Sequence, residues 1–175
     1  MSFSGGSAAA EYGTSVFWNT YTPPGTIRPS PAPASALLPS QWLDAIWRRV
    51  TSACHEAMWD ALPDQIGDTA ELHPLTSGDI HFLSERTADQ VVLAATAALR
   101  ALGRLCEDHP AHLNDALPAM VRAMGDPRVA VRYAAVESLW QAHAIDAVPH
   151  ISSALEGERN ETVRETMEHV RRILG

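Results

Sequence analysis

Lysine is absent from the chain's 175 residues; all thirteen basic side chains are arginine. That removes mechanisms built on a lysine Schiff base or a phosphate-loop lysine. Beside abundant alanine, it is most simply the mark of a GC-rich bacterial genome. Cysteine occurs only twice. Cys54 and Cys106 both fall on apolar stripes of predicted helices, which points to buried thiols in a reducing compartment and not to a disulfide framework. No apolar run approaches the roughly 18 residues of a membrane helix. Residues 1–13 lack the basic and apolar regions of a secretory signal. A cytoplasmic protein is expected. Positive charge is also in deficit: the net charge is −8 and the pI about 5.4. This argues against a nucleic-acid backbone or an anionic membrane as the main partner.

Catalytic signatures are missing as well. His55-Glu56 is not followed by a second histidine at zinc-protease spacing. There is no glycine-rich phosphate loop. His109 and His112, flanked by Glu107, Asp108 and Asp115, sit where a helix-to-helix turn is expected and read as polar turn residues. His73 and His81 have no partners at metal-ligand spacing. The expectation is no enzyme, no cofactor and no metal.

What the chain has is a unit written twice. Asp115-Ala116-Leu117-Pro118 returns as Asp146-Ala147-Val148-Pro149, 31 residues later, and helices opening Val131-Arg132 and Val163-Arg164 follow at matching places. A fixed period in this range marks stacked helical repeats. The predicted fold is all-α, a short α-solenoid of helical hairpins at 40–175, preceded by an extended proline-rich arm at 1–39. Its helices are expected near 41–62, 88–106, 114–124, 129–142, 146–155 and 161–174.

The first of these carries Trp42, Ile46, Trp47, Val50, Cys54, Ala57, Met58 and Ala61 on one face, with Ser40 as its cap. Residues 63–86, punctuated by Pro63, Gly67, Pro74 and Gly78, hold Ile80, Phe82 and Leu83 in a short docked turn or helical fragment. Thr87 and Gln90 form a capping box for the next helix, whose stripe is Val91, Val92, Ala95, Ala98, Leu99, Leu102 and Leu105. Leu117, Val121 and Met124 face inward from the helix after that, with Pro118 early enough to be tolerated. Val131, Ala135, Leu139 and Ala142 do so next, then Val148, Ile151 and Leu155. The last helix buries Val163, Met167, Val170 and Leu174 under a charged outer face.

In the arm, six prolines between 23 and 39 favour extended backbone. Before them, Phe17, Trp18 and Tyr21 are three of only eleven aromatics in the chain. Aromatics on such a segment read as anchors, either on the chain's own helices or in a partner. Charge is uneven along the chain. Residues 42–88 hold eight acids and three arginines, net −5; residues 127–175 hold seven acids and six arginines, net −1. The acidic middle is a candidate for meeting a basic protein surface.

The run from Asp126-Pro127-Arg128-Val129-Ala130-Val131-Arg132 to Leu139, followed by Asp146-Ala147-Val148-Pro149, resembles a HEAT repeat, closest to the short bacterial form also found in phycobilin lyases. The likeness is strong over 114–174, weaker over 87–113 and absent before. It implies a solenoid with first helices on the convex face and second helices on the concave one. It also implies a ladder of turn acids and arginines between neighbours, with Asp126 and Arg132, then Glu158 and Arg164, in the matching places. Second-helix positions left outward are Asp115, Ala119 and Arg122, with repeat partners Asp146, His150 and Ser153. This mixed surface suits a protein partner better than a small molecule. The leading functional expectation is a non-catalytic adaptor or scaffold that binds protein through that face, through Phe17, Trp18 and Tyr21, or both. The alternatives are an inhibitor or immunity protein covering a basic site, and a bilin-lyase-type enzyme.

Overall fold

The computed structural model describes residues 38–53 and 55–175. The expected aromatic anchor of Phe17, Trp18 and Tyr21 and the thiol of Cys54 lie outside the described residues. Among those described there are eight α-helices and no strand: α1 Gln41–Ala53, α2 Glu56–Ala70, α3 Ser77–Arg86, α4 Val92–Asp108, α5 Leu113–Ala123, α6 Val129–Gln141, α7 Val148–Gly157 and α8 Glu161–Leu174. They stack in two rows. The even-numbered helices α2, α4, α6 and α8 pack side by side in sequence. The odd row is looser: α3 packs on α5, and α1, α3, α5 and α7 each cover the even helix that follows.

The even row is tight because small residues line it. α4 buries Ala94, Ala95, Ala97, Ala98 and Ala101 together with Leu99, Leu102 and Leu105. A Cβ on Gly103 would stand 2.9 Å from Cα of Ser138 in α6, so only glycine allows the two backbones this approach. α6, held between α4 and α8, buries residues almost all round, including Val131, Ala134, Ala135, Val136 and Leu139. A helix between two neighbours has no broad polar face to show.

The first part of the chain departs from expectation. One helix over 41–62 is two: α1 ends at Ala53, and α2 restarts at Glu56 and runs through Pro63 to Ala70. Restarting changes the register. Trp59, Leu62 and Ile66 are buried in place of Ala57 and Ala61, which are exposed. The poorly patterned stretch that follows contains a full helix, α3, with Ile80, Phe82 and Leu83 buried. Its capping box is Thr76 with Asp79, which simple inspection for Glu or Gln at the third position overlooks. The expected box at Thr87 does not form. Thr87 ends α3, its hydroxyl donating to the carbonyl of Ser84, and α4 begins at Val92 without a side-chain cap.

Asp79 also explains Ser40. Rather than capping α1, Ser40 donates its N–H (2.6 Å) and hydroxyl (2.8 Å) to the Asp79 carboxylate. That carboxylate is fully buried and also accepts from the Thr76 N–H and hydroxyl. A buried charge is tolerated when its lone pairs are filled in this way. Trp47 meets Trp59 and Phe82 edge-on at 5.6 Å each, and the Arg86 guanidinium lies 4.8 Å above the Phe82 ring.

α4 begins at Val92, four residues later than expected, with Val91 and Val92 exposed rather than buried; from α5 onward the helices follow the expected bounds within two residues, but which residues they bury differs in α5 and α7. α5 starts at Leu113 and takes Pro118 into its interior. It turns Ala116, Ala119, Met120 and Ala123 inward, so Ala119 is not an outward position, while Leu117 and Val121 are half-buried. A 3-10 turn at Ile145–Ala147 precedes α7, leaving Val148 and Leu155 only partly covered.

The ladder between units exists with different rungs. Arg132 reaches forward, bidentate to Glu158 at 2.7 and 2.9 Å, and touches its own turn only through the carbonyls of Asp126 and Pro127. Asp126 instead binds Arg128, at 2.8 Å twice. Arg128 also donates back to the carbonyls of Asp89 and Gln90 in the preceding turn. Arg164 is exposed and joins no rung among the described residues.

Candidate functional site

Burial of its two sides leaves α6 one outer stripe, Val129, Tyr133, Glu137 and Trp140, at helical spacings of four, four and three. On α4 the matching positions are Val92 and Arg100, both exposed, with Thr96 buried between them. On the even-row face these stripes border three hollows of about 590, 350 and 350 Å³. The hollows join through shared walls. Arg100 and Asp60 line the first two, Glu137 and Trp140 the last two, and Tyr133 the first and third. Together they make one interrupted groove across α2, α4, α6 and α8.

Its chemistry is apolar with a charged centre. Val92, Val129 and Trp140 are 37%, 43% and 47% exposed, which is high for large apolar side chains on one face. Between them the Arg100 guanidinium stands 4.0 Å from Asp60 and 3.9 Å from Glu137, loosely held by both. Glu137 accepts from the Tyr133 hydroxyl and, with its charge, raises the Tyr133 pKa above its ordinary value. An aromatic beside an apolar hollow with a guanidinium in reach is the composition of a protein-binding hot spot.

A fourth cleft, about 540 Å³, opens in the odd row, where α5 and α7 do not pack against one another as α4 and α6 do. Its walls include Val121 and Met124 on one side, His150 and Ser153 on the other, and the Arg132–Glu158 pair. Glu158 is held below the usual carboxylate range by the hydrogen bond from Arg132, and Asp126 by that from Arg128. Of the second-helix residues singled out above, His150 and Ser153 therefore share a cleft. Asp115, Arg122 and Asp146 are exposed but line none of these hollows. Asp115 stands 4.0 Å from the His112 imidazole.

The groove residues Arg100, Tyr133, Glu137 and Trp140 were not found by sequence reasoning, which assigned binding to the second helices. The usable signal was the outer α6 stripe: a valine, a tyrosine and a tryptophan at helical spacing outside the buried set. Nothing reactive stands out beside it. The Cys106 thiol is buried, and desolvation followed by the Asp115 charge pushes its pKa to about 12, far from a nucleophile's. No group of three metal-ligating side chains occurs among the described residues. No helix among them is long and apolar enough to cross a membrane.

The family model for HEAT repeats matches residues 81–170. Neither a curated protein nor a solved structure matches the chain.

Proposed function

The chain belongs to the HEAT-repeat family, and from that premise we propose that it is a non-catalytic interaction module, a small bacterial cytoplasmic adaptor that grips a protein partner in the even-row groove. HEAT repeats in general mediate protein–protein interaction. The observation that carries the reading is the joined set of hollows around Arg100, Tyr133, Glu137 and Trp140, with Trp140 half in solvent. The second-helix residues His150 and Ser153 of the odd-row cleft, with Asp115, Arg122 and Asp146, are the competing candidates. The aromatic segment of Phe17, Trp18 and Tyr21 in the proline-rich arm is proposed as a second contact to the same partner. The inhibitor reading is a special case in which the partner's basic site is what the module covers; the acids of residues 42–88 favour it.

Photo-crosslinking in cells tests this. A crosslinking side chain at Thr162 or Thr166, which line the groove, is expected to capture one protein, and the same group at Ser153 to capture none. Capture from Ser153 alone moves the site to the odd row. Turnover of a substrate by the purified chain, abolished by one substitution that leaves the fold intact, ends the adaptor reading.

A further inference from the structure

The groove has a regular acidic border along α2, and Glu165 of α8 lines the hollow on the other side of Trp140. In α2, Glu56, Asp60, Asp64 and Asp68 recur every four residues, all exposed, about 6 Å apart along the helix. Asp60 and Asp64 form part of the wall of the hollow that Trp140 closes. The arginines in that hollow do not neutralise the row. Arg104 is taken up by Glu107 and Asp108 at 3.7 and 3.3 Å, and Arg100 is divided between Asp60 and Glu137. Glu56, Asp64 and Asp68 have no arginine at ion-pair distance among the described residues. Like charges four apart on a helix repel. Here Asp60 alone of the row has an arginine near it among the described residues, at 4.0 Å, and the row lies beside exposed apolar surface, where a docking cation would relieve the repulsion.

We propose that the segment filling the groove is a basic amphipathic one: an aliphatic or aromatic side chain seated against Trp140, and Lys or Arg side chains repeating about every 6 Å along the α2 acids. The proposal rests on the reading of the even-row groove as the docking site. Charge complementarity selects the occupant. The apolar floor selects for a side chain that a purely polycationic strand lacks. Steering by the acidic border makes association fast and salt-sensitive, while the seat on Trp140 sets the lifetime of the complex.

The test uses the full chain and a synthetic fluorescent peptide with leucine along one side and lysine at every fourth position, against its glutamate counterpart. Anisotropy titrations are run at low and high salt. The lysine peptide should bind and the glutamate peptide should not. A chain carrying Asp64→Asn and Asp68→Asn, both exposed positions, should bind the lysine peptide at least tenfold more weakly and lose most of the salt dependence. Trp140→Ala should weaken binding at every salt concentration. Equal binding of both peptides, or unchanged affinity in the double variant, overturns the basic-segment proposal and leaves the groove standing if Trp140→Ala still weakens binding. If Trp140→Ala has no effect, the groove reading itself falls, and this proposal with it.

Discussion

Helices α1 to α3 and helices α6 to α8 belong to the same stack, yet they are held by different chemistry. The first three are joined by aromatic edges, with Trp47 against Trp59 and Phe82, and by one buried carboxylate, Asp79, that gathers Ser40 and Thr76. The last three bury aliphatic residues such as Leu139, Ile151, Val163 and Met167 and are tied by a polar ladder in which Arg132 reaches forward to Glu158, while Arg128 reaches back to the turn before α4. A repeat needs identical rungs because each unit must fit the next. Helices outside the matched repeats have no such constraint and can be held by whatever bulk fits. The difference shows that architecture can persist where the repeat's motif has disappeared.

The sharpest way to break the comparison is to remove one tie from each side. Trp47 is 5% exposed, and Trp47→Ala should cost about 3–5 kcal/mol in chemical denaturation. Hydrogen exchange should then show α1 to α3 loosened while α6 to α8 keep their protection. Equal loss of protection throughout would mean that the stack unfolds as one unit and that the contrast is only descriptive.

Glu158→Ala is the counterpart. Its side chain is 3% exposed and paired bidentate with Arg132, so its loss leaves a largely buried guanidinium without its anion and should cost about 3 kcal/mol. Protection should fall in α6 to α8 first. The same ties predict a pH dependence. Asp126 and Glu158 have folded pKa values below their unfolded ones, near 4. Their stabilisation is therefore complete above the unfolded value and disappears as pH falls through the depressed folded values. A melt series run downward from about pH 5 should lose stability in wild type more steeply than in Glu158→Ala. Parallel curves would remove the ladder from the account.

How much could be read in the sequence follows the same division. From α6 onward, Val131, Ala135, Leu139, Val163, Met167 and Val170 keep a helical period, and all are buried. Before α4, Trp42, Ile46 and Trp47 were legible in α1, but the restart at Glu56 shifted the register and hid Leu62 and Ile66. Pro63 looked like an end because an interior proline forfeits a hydrogen bond, yet tertiary packing of Trp59, Leu62 and Ile66 around it outweighs that loss. The groove was harder. Arg100, Tyr133, Glu137 and Trp140 come from two helices whose mutual packing no single-helix pattern reports. The ladder's pairing was misassigned for a similar reason. A separation of six within one unit is visible in sequence, whereas the reach of Arg132 to the next turn depends on how units stack.

The smallest predicted effect lies at the join between α6 and α7. His143 takes φ of 51°, the left-handed conformation, directly after α6. The chain needs that turn: the His143 N–H donates to the carbonyl of Trp140 and the Ala144 N–H to that of Leu139, closing the helix as glycine commonly does. Histidine bears the steric cost of a Cβ there and is exposed, with no packing in return. His143→Gly should therefore stabilise the chain by roughly 0.5–1 kcal/mol, less whatever the added freedom of glycine in the unfolded chain takes back. Urea denaturation at a pH where histidine is neutral measures it. If the variant is instead less stable, the unfolded-chain entropy outweighs the relief of strain and the histidine turn is no weak point. If it gains as expected, the repeat-bearing half is shown to hold a strained joint beside Trp140, where the proposed groove ends.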